Sequence, residues 1–135
     1  MNATISGNVA NGSSGSGGGI LNDAGGTLNV SNSTLSGNTS NRAGGGIETT
    51  TTGATVTLTS VNLLSNTTGS SPGNGGGLHM TGAGIVSITG GDVISNTAAA
   101  EGGGLWNGSG TMSVDGSNIS NNTASGNDAD QGGGG

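Results

Sequence analysis

The chain contains no cysteine, no phenylalanine and no tyrosine, and Trp106 is its single aromatic residue. A disulfide framework is therefore excluded, and a core built around packed rings has no material. Charge of one sign is almost missing: Arg42 stands alone against seven carboxylates, giving a formal net charge of −6. Phosphate binding requires clustered Lys or Arg and aromatic stacking platforms, so nucleic acid is excluded as a partner. The same shortage argues against an anionic membrane surface. No apolar run approaches the roughly 20 residues of a transmembrane helix, so membrane insertion is not expected. The opening MNATISGNVA has neither the basic region nor the apolar stretch of a signal peptide; if the protein is exported, its signal is expected to lie outside this chain.

Gly, Asn, Ser and Thr make up nearly two thirds of the residues. In an aperiodic chain that composition signals low complexity or disorder. Here it is periodic. Glycine triplets begin at Gly17, Gly44, Gly75, Gly102 and Gly132, at intervals of 27, 31, 27 and 30 residues. The first four are each followed by an aliphatic residue, Ile20, Ile47, Leu78 and Leu105. A second apolar pair comes next in each unit: Leu28 and Val30, Val56 and Leu58, Val86 and Ile88, Met112 and Val114. Five residues later stands a third apolar position, Leu35, Leu63, Val93 or Ile119, and three residues beyond it an asparagine followed by threonine. Repeats of this length define a solenoid, in which no unit buries its apolar face without neighbours.

Alternation such as Thr55-Val56-Thr57-Leu58-Thr59 has the period of a half-buried strand, and the elements are too short and too rich in Gly and Thr for helices. The expected fold is all-β: a parallel β-helix of about four coils, 27–31 residues each, with three short strands per coil. The coils begin at Gly17, Gly44, Gly75 and Gly102 within a single solenoid over 1–135, with partial coils at 1–16 and 132–135. At about 4.8 Å per coil, four coils span roughly 20 Å. Asn8, Asn38, Asn66, Asn96 and Asn122 are expected to stack at one turn as an amide ladder along the axis, with Asn tolerating the left-handed backbone a sharp turn needs. The triplets are expected at corners where a β-carbon would crowd the coil.

The pairing of GGGI or GGGL with LSGN, LLSN, VISN or ISNN resembles the GGA-[ILV] and FxxN motifs of the chlamydial polymorphic outer-membrane-protein repeat. It is still more similar to secreted β-helix repeats of environmental bacteria, whose units read roughly GGGIxNxGTLTVxNSTISGNTA; residues 17–39 here read GGGILNDAGGTLNVSNSTLSGNT. The likeness covers essentially the whole chain, with aliphatics where the chlamydial form uses Phe. It implies a right-handed coil and export to the cell surface, and it implies no single ligand.

Many β-helices are polysaccharide lyases or glycosidases, which need a base with acidic partners or paired carboxylates. Asp23, Glu48, Asp92, Glu101 and Asp115 fall at different repeat positions, Arg42 lies in a turn before a triplet, and His79 has no evident partner. No catalytic residue is assigned, and neither an enzyme nor a cofactor is expected. Asp128 and Asp130 are the only weak candidates for a metal, calcium, but the GGxGxD nonapeptide is absent. Nine Asn-x-Ser/Thr sequons, among them those at Asn32 and Asn66, are what chance gives in this composition.

Two columns are expected to face outward. Leu21, Glu48, His79 and Trp106 each follow an inward aliphatic and form a contact column for a carbohydrate or surface ligand. Thr27, Thr55, Thr57, Thr59, Thr89 and Thr111, with Asn29, Ser31, Ile85, Ser87, Ser113 and Asp115, form a flat hydroxyl-rich face resembling that of ice-binding β-solenoids. Neither end of the repeat carries a cap. Ile5 and Asn8 match the third element of a coil, and the fifth triplet opens another. The expected function is therefore an extracellular or cell-surface structural stalk or fibre, stacking on itself head to tail. Adhesion is the alternative and ice binding the third.

Overall fold

The structure is a computed structural model that describes residues 2–50, 52–128 and 132–134. The partial first coil supplies β1 (Thr4–Ser6) and β2 (Val9–Ala10). The next supplies β3 (Ile20–Asn22), β4 (Thr27–Ser36) and β5 (Thr39–Ser40), and the one after it β6 (Ile47–Thr49), β7 (Thr55–Leu64) and β8 (Thr67–Thr68). The third full coil carries β9 (Leu78–Met80), β10 (Ile85–Thr89), β11 (Asp92–Ile94) and β12 (Thr97–Ala98), the fourth β13 (Leu105–Asn107), β14 (Thr111–Asp115), β15 (Asn118–Ser120) and β16 (Thr123–Ala124). Each strand pairs in parallel with its counterparts one coil away, giving three sheets. The chain is a parallel β-solenoid of about four coils.

The three strands per coil are divided differently from the apolar pattern. The second and third apolar elements run on as one ten-residue strand in β4 and β7, and as two strands of the same sheet in the later coils. The third sheet is made by the Asn-Thr end of each repeat, in β2, β5, β8, β12 and β16. A left-handed residue divides the long strand at Asn32 (φ 48°), Ser60 (φ 52°), Gly90 (φ 64°) and Gly116 (φ 62°). It shifts the alternation by one residue, so that Val56 and Leu58 before it and Val61 and Leu63 after it all point inward.

These side chains form a narrow core with Leu35, Ile47, Leu78, Met80, Val86, Ile88, Val93 and Leu105. Each such burial contributes about 1.5–3 kcal/mol. In the outermost coils Ile5, Ile20, Leu28, Val30, Met112 and Ile119 pack against this core but stay partly exposed, because each has a neighbouring coil on only one side.

The asparagine ladder is present along the whole solenoid. Nδ2 of Asn8, Asn38, Asn66 and Asn96 donates to Oδ1 of the next rung at 2.9–3.0 Å. Asn66 shows the pattern. Its Nδ2 donates to Asn96 Oδ1 and to the Leu35 carbonyl, while its Oδ1 accepts from the backbone and the side-chain amides of Asn38. All four of its side-chain hydrogen-bonding positions are filled. The left-handed backbone expected of these asparagines belongs instead to the residue before each: Gly7, Gly37, Ser65, Ser95 and Asn121, at φ 53–63°. The ladder residue itself follows that kink and turns its amide inward.

In the first four triplets only the first glycine takes the left-handed region, as at Gly44 (φ 60°). The other two are needed for space. A β-carbon on Gly45 would lie 2.6 Å from the Thr67 nitrogen, and one on Gly46 would lie 2.5 Å from the Gly77 carbonyl oxygen and 3.2 Å from Asn66 Nδ2. The triplet thus runs directly against the ladder.

Candidate functional site

The expected contact column exists as a stack. Leu21, Glu48, His79 and Trp106 occupy equivalent positions of β3, β6, β9 and β13 and pair in register from coil to coil. Its expected exposure is kept at the two ends and lost at the two central positions. Leu21 is half exposed and Trp106 partly so, but Glu48 is fully buried and His79 nearly so. Alternation correctly turns these side chains away from the apolar core. The chain before each triplet then folds back over them, because the left-handed first glycine reverses its direction. A β-carbon on Gly44 would lie 2.6 Å from Glu48 Cβ, and one on Gly75 2.7 Å from His79 Cβ. This covering corner is stacked like the strands. The Arg42 amide donates to the Gly15 carbonyl, Gly73 to Arg42, and Ala100 to Gly73.

A lateral polar compartment results. Glu48 Oε1 lies 3.5 Å from Arg42 Nη2 and 3.4 Å from His79 Nδ1. His79, expected to be unpartnered, also has Thr81 Oγ1 at 3.2 Å from Nδ1. Its ring stacks on Trp106 with centroids 4.5 Å apart and planes 18° from parallel, a distance at which offset ring pairs attract. The indole Nε1 in turn donates to Glu101 Oε2 at 2.7 Å. Arg42, Glu48, His79, Trp106 and Glu101, drawn from a span of 65 positions, thus form one chain of contacts. Burial is the strongest influence on the Glu48 carboxyl and raises its pKa; His79, Ser16 and the Arg42 charge together outweigh it and hold the pKa below its ordinary value.

The residues of the hydroxyl-rich face lie in register on the sheet of β4, β7, β10 and β14. Thr27, Thr55, Ile85 and Thr111 lie in one column, Asn29, Thr57, Ser87 and Ser113 in the next, and Ser31, Thr59, Thr89 and Asp115 in the third. Ile85 and Asp115 interrupt the hydroxyls. Asp128 is exposed, and Asp130 lies outside the described residues. Among the described residues no group of three His, Cys, Asp or Glu could hold a metal ion. The sequons at Asn38 and Asn66 sit in the buried ladder, where a glycan has no room in the folded chain.

The coil edges form the third surface. At one edge Ala3, Ile5, Ile20, Leu28 and Val30 line an opening of about 230 Å³ into the core. At the other, Met112 and Ile119 are half-buried and Val114 is 39% exposed. The ladder gives these edges opposite polarity. Asn8 donates into the ladder, and no described residue donates to its Oδ1. Asn122 accepts from Asn96 and donates to the Val93 carbonyl, and its second amide hydrogen has no partner among the described residues.

The fold and these surfaces define a parallel β-solenoid repeat protein. The sequence matches no protein-family model, and no curated protein or solved structure is significantly similar to it. The likeness to the chlamydial and environmental repeats rests on the short glycine and asparagine motifs alone.

Proposed function

We propose that the chain is a non-enzymatic structural module, an extracellular stalk or fibre whose coils stack head to tail on further copies. The opposite polarity of the ladder at the two edges is the observation that carries this reading. The second amide hydrogen of Asn122 complements Asn8 Oδ1 of a second copy in the same orientation, and half-buried aliphatics surround both. A stacked coil would cover them as the central coils cover theirs. A surface location agrees with Arg42 as the sole basic cleavage point for common proteases. The non-enzymatic reading is supported by the burial of the one His-carboxylate contact, which puts it out of a substrate's reach.

Electron microscopy of the purified chain at rising concentration tests it. Unbranched fibres with an axial repeat of about 4.8 Å are expected. A chain that stays monomeric by light scattering at its highest soluble concentration overturns the proposal. Ice binding is the second reading, supported by the in-register Thr and Ser columns. Thermal hysteresis that Thr57→Tyr abolishes is its expected signature, and its absence in the native chain removes it. Adhesion keeps only the exposed end of the lateral column, at Leu21 and Trp106. A glycan screen that is blank, or unaltered by Trp106→Ala, removes that reading too.

A further inference from the structure

The lateral compartment holds the chain's only arginine, only histidine and only aromatic ring, and all are in contact through Glu48. The rest of the interior cannot titrate: the core cluster is aliphatic and methionine, and the ladder is made of neutral amides. Any response of the interior to protons is therefore confined to this one strip.

We propose that Glu48 and His79 form a proton-operated clasp: while Glu48 is ionised it holds the Arg42 corner over the column, and protonation in acid loosens that corner and uncovers His79 and Trp106 while core and ladder stay closed. The charges facing Glu48 give the reason. Arg42 approaches from the covering corner and His79 from β9, with the Ser16 hydroxyl beside them. The remaining carboxylate, Glu101, lies beyond the indole of Trp106. At neutral pH the glutamate balances the guanidinium. In acid the neutral glutamic acid no longer balances the guanidinium, which is left partly buried in the corner without an adjacent counter-charge, and that is unfavourable. The least costly relief is to move the corner, since the Arg42 side chain is already 30% exposed.

The sign follows from Glu48. A carboxyl whose folded pKa is depressed adds stability above its unfolded pKa and loses it as the pH falls through the folded value. Because His79, Ser16 and Arg42 outweigh the desolvation, release comes below the ordinary glutamate range and not near neutrality.

Trp106 is the only intrinsic fluorophore of its kind in the chain, so its emission reports on the strip alone. The test follows that emission and residue-resolved hydrogen exchange, corrected for the intrinsic rate, from pH 7 to pH 3. The emission is expected to shift red as amides of residues 42–44 and 73–75 exchange at least tenfold faster, with β7 still protected. Glu48→Gln should show the loosened corner already at pH 7 and lack the acid transition. Loss of protection by corner and β7 together in the native chain overturns the clasp. So does a Glu48→Gln corner as well protected as the native one. Should Glu48→Gln fail to fold, the native titration decides alone.

Discussion

Two columns of side chains come from the same four strands, one residue apart. Ile20, Ile47, Leu78 and Leu105 face into the coils; Leu21, Glu48, His79 and Trp106 face the lateral corner. The central members of both are buried to the same degree, yet the inner column keeps one chemistry in every coil and the lateral one changes at each step. Inside, every coil presents the same space to its neighbours, and any aliphatic of similar size satisfies it. At the corner, what each residue needs depends on its neighbour in the stack. Glu48 requires Arg42 and His79, and His79 lies against the Trp106 ring. Burial alone therefore does not identify a repeat's core; uniformity along the stack does.

The comparison is broken most severely through the ladder that borders the inner column. Asn66→Ala removes the acceptor of two Asn38 amides and the donor to the Leu35 carbonyl, leaving polar groups buried and unpaired. A loss of about 4 kcal/mol is expected, read as a fall in the midpoint of denaturant unfolding. Leu63→Ala should cost about 3 kcal/mol by leaving a cavity in the middle of the stack. The equivalent change at the partly exposed Ile119 should cost clearly less, measured the same way.

The lateral column should respond differently, through coupling. Glu48→Leu alone strands the Arg42 and His79 side chains and is expected to cost about 2 kcal/mol, less than a sealed ion pair because Arg42 reaches solvent. Glu48→Leu combined with His79→Leu should recover at least half of that loss, since two apolar residues then stack between Leu21 and Trp106. A double-mutant cycle with purely additive terms would show that the column is not a coupled unit. The smallest effect is expected at the backbone. Ser95 sits at φ 58° in the place where Gly37 stands two coils earlier with no atom within 4 Å of its would-be β-carbon. Ser95→Gly should stabilise by about 0.5 kcal/mol, the relief of left-handed strain less the added chain entropy, seen as a small rise in Tm.

Much of the fold was legible because it recurs. The aliphatics after each triplet, the alternating pair and the asparagine are each repeated in phase, and repetition identifies a position even where single residues are ambiguous. The division into strands was less legible. Ser60 and Asn32 take left-handed angles that their residue types do not announce, so two apolar elements looked separate when they share one strand. The lateral site was half legible. Alternation placed Leu21, Glu48, His79 and Trp106 in one column, but nothing in their spacing showed that Arg42 and Ala43 would fold back on them. The available signal was chemical: the chain's lone arginine stands six residues before a glutamate that aligns with its lone histidine.

The sequence by itself determined the solenoid, its coil length, the inward aliphatics and the ladder, because each coil must repeat the same local pattern to bury its neighbour. Only the tertiary structure decided which outward residues stay outward. That outcome depends on the reversal at Gly17, Gly44, Gly75 and Gly102, where a left-handed glycine sends the preceding corner across the face of the strand that follows. It turns an expected contact surface into a second, polar interior, and this is a matter of long-range packing that no local period encodes.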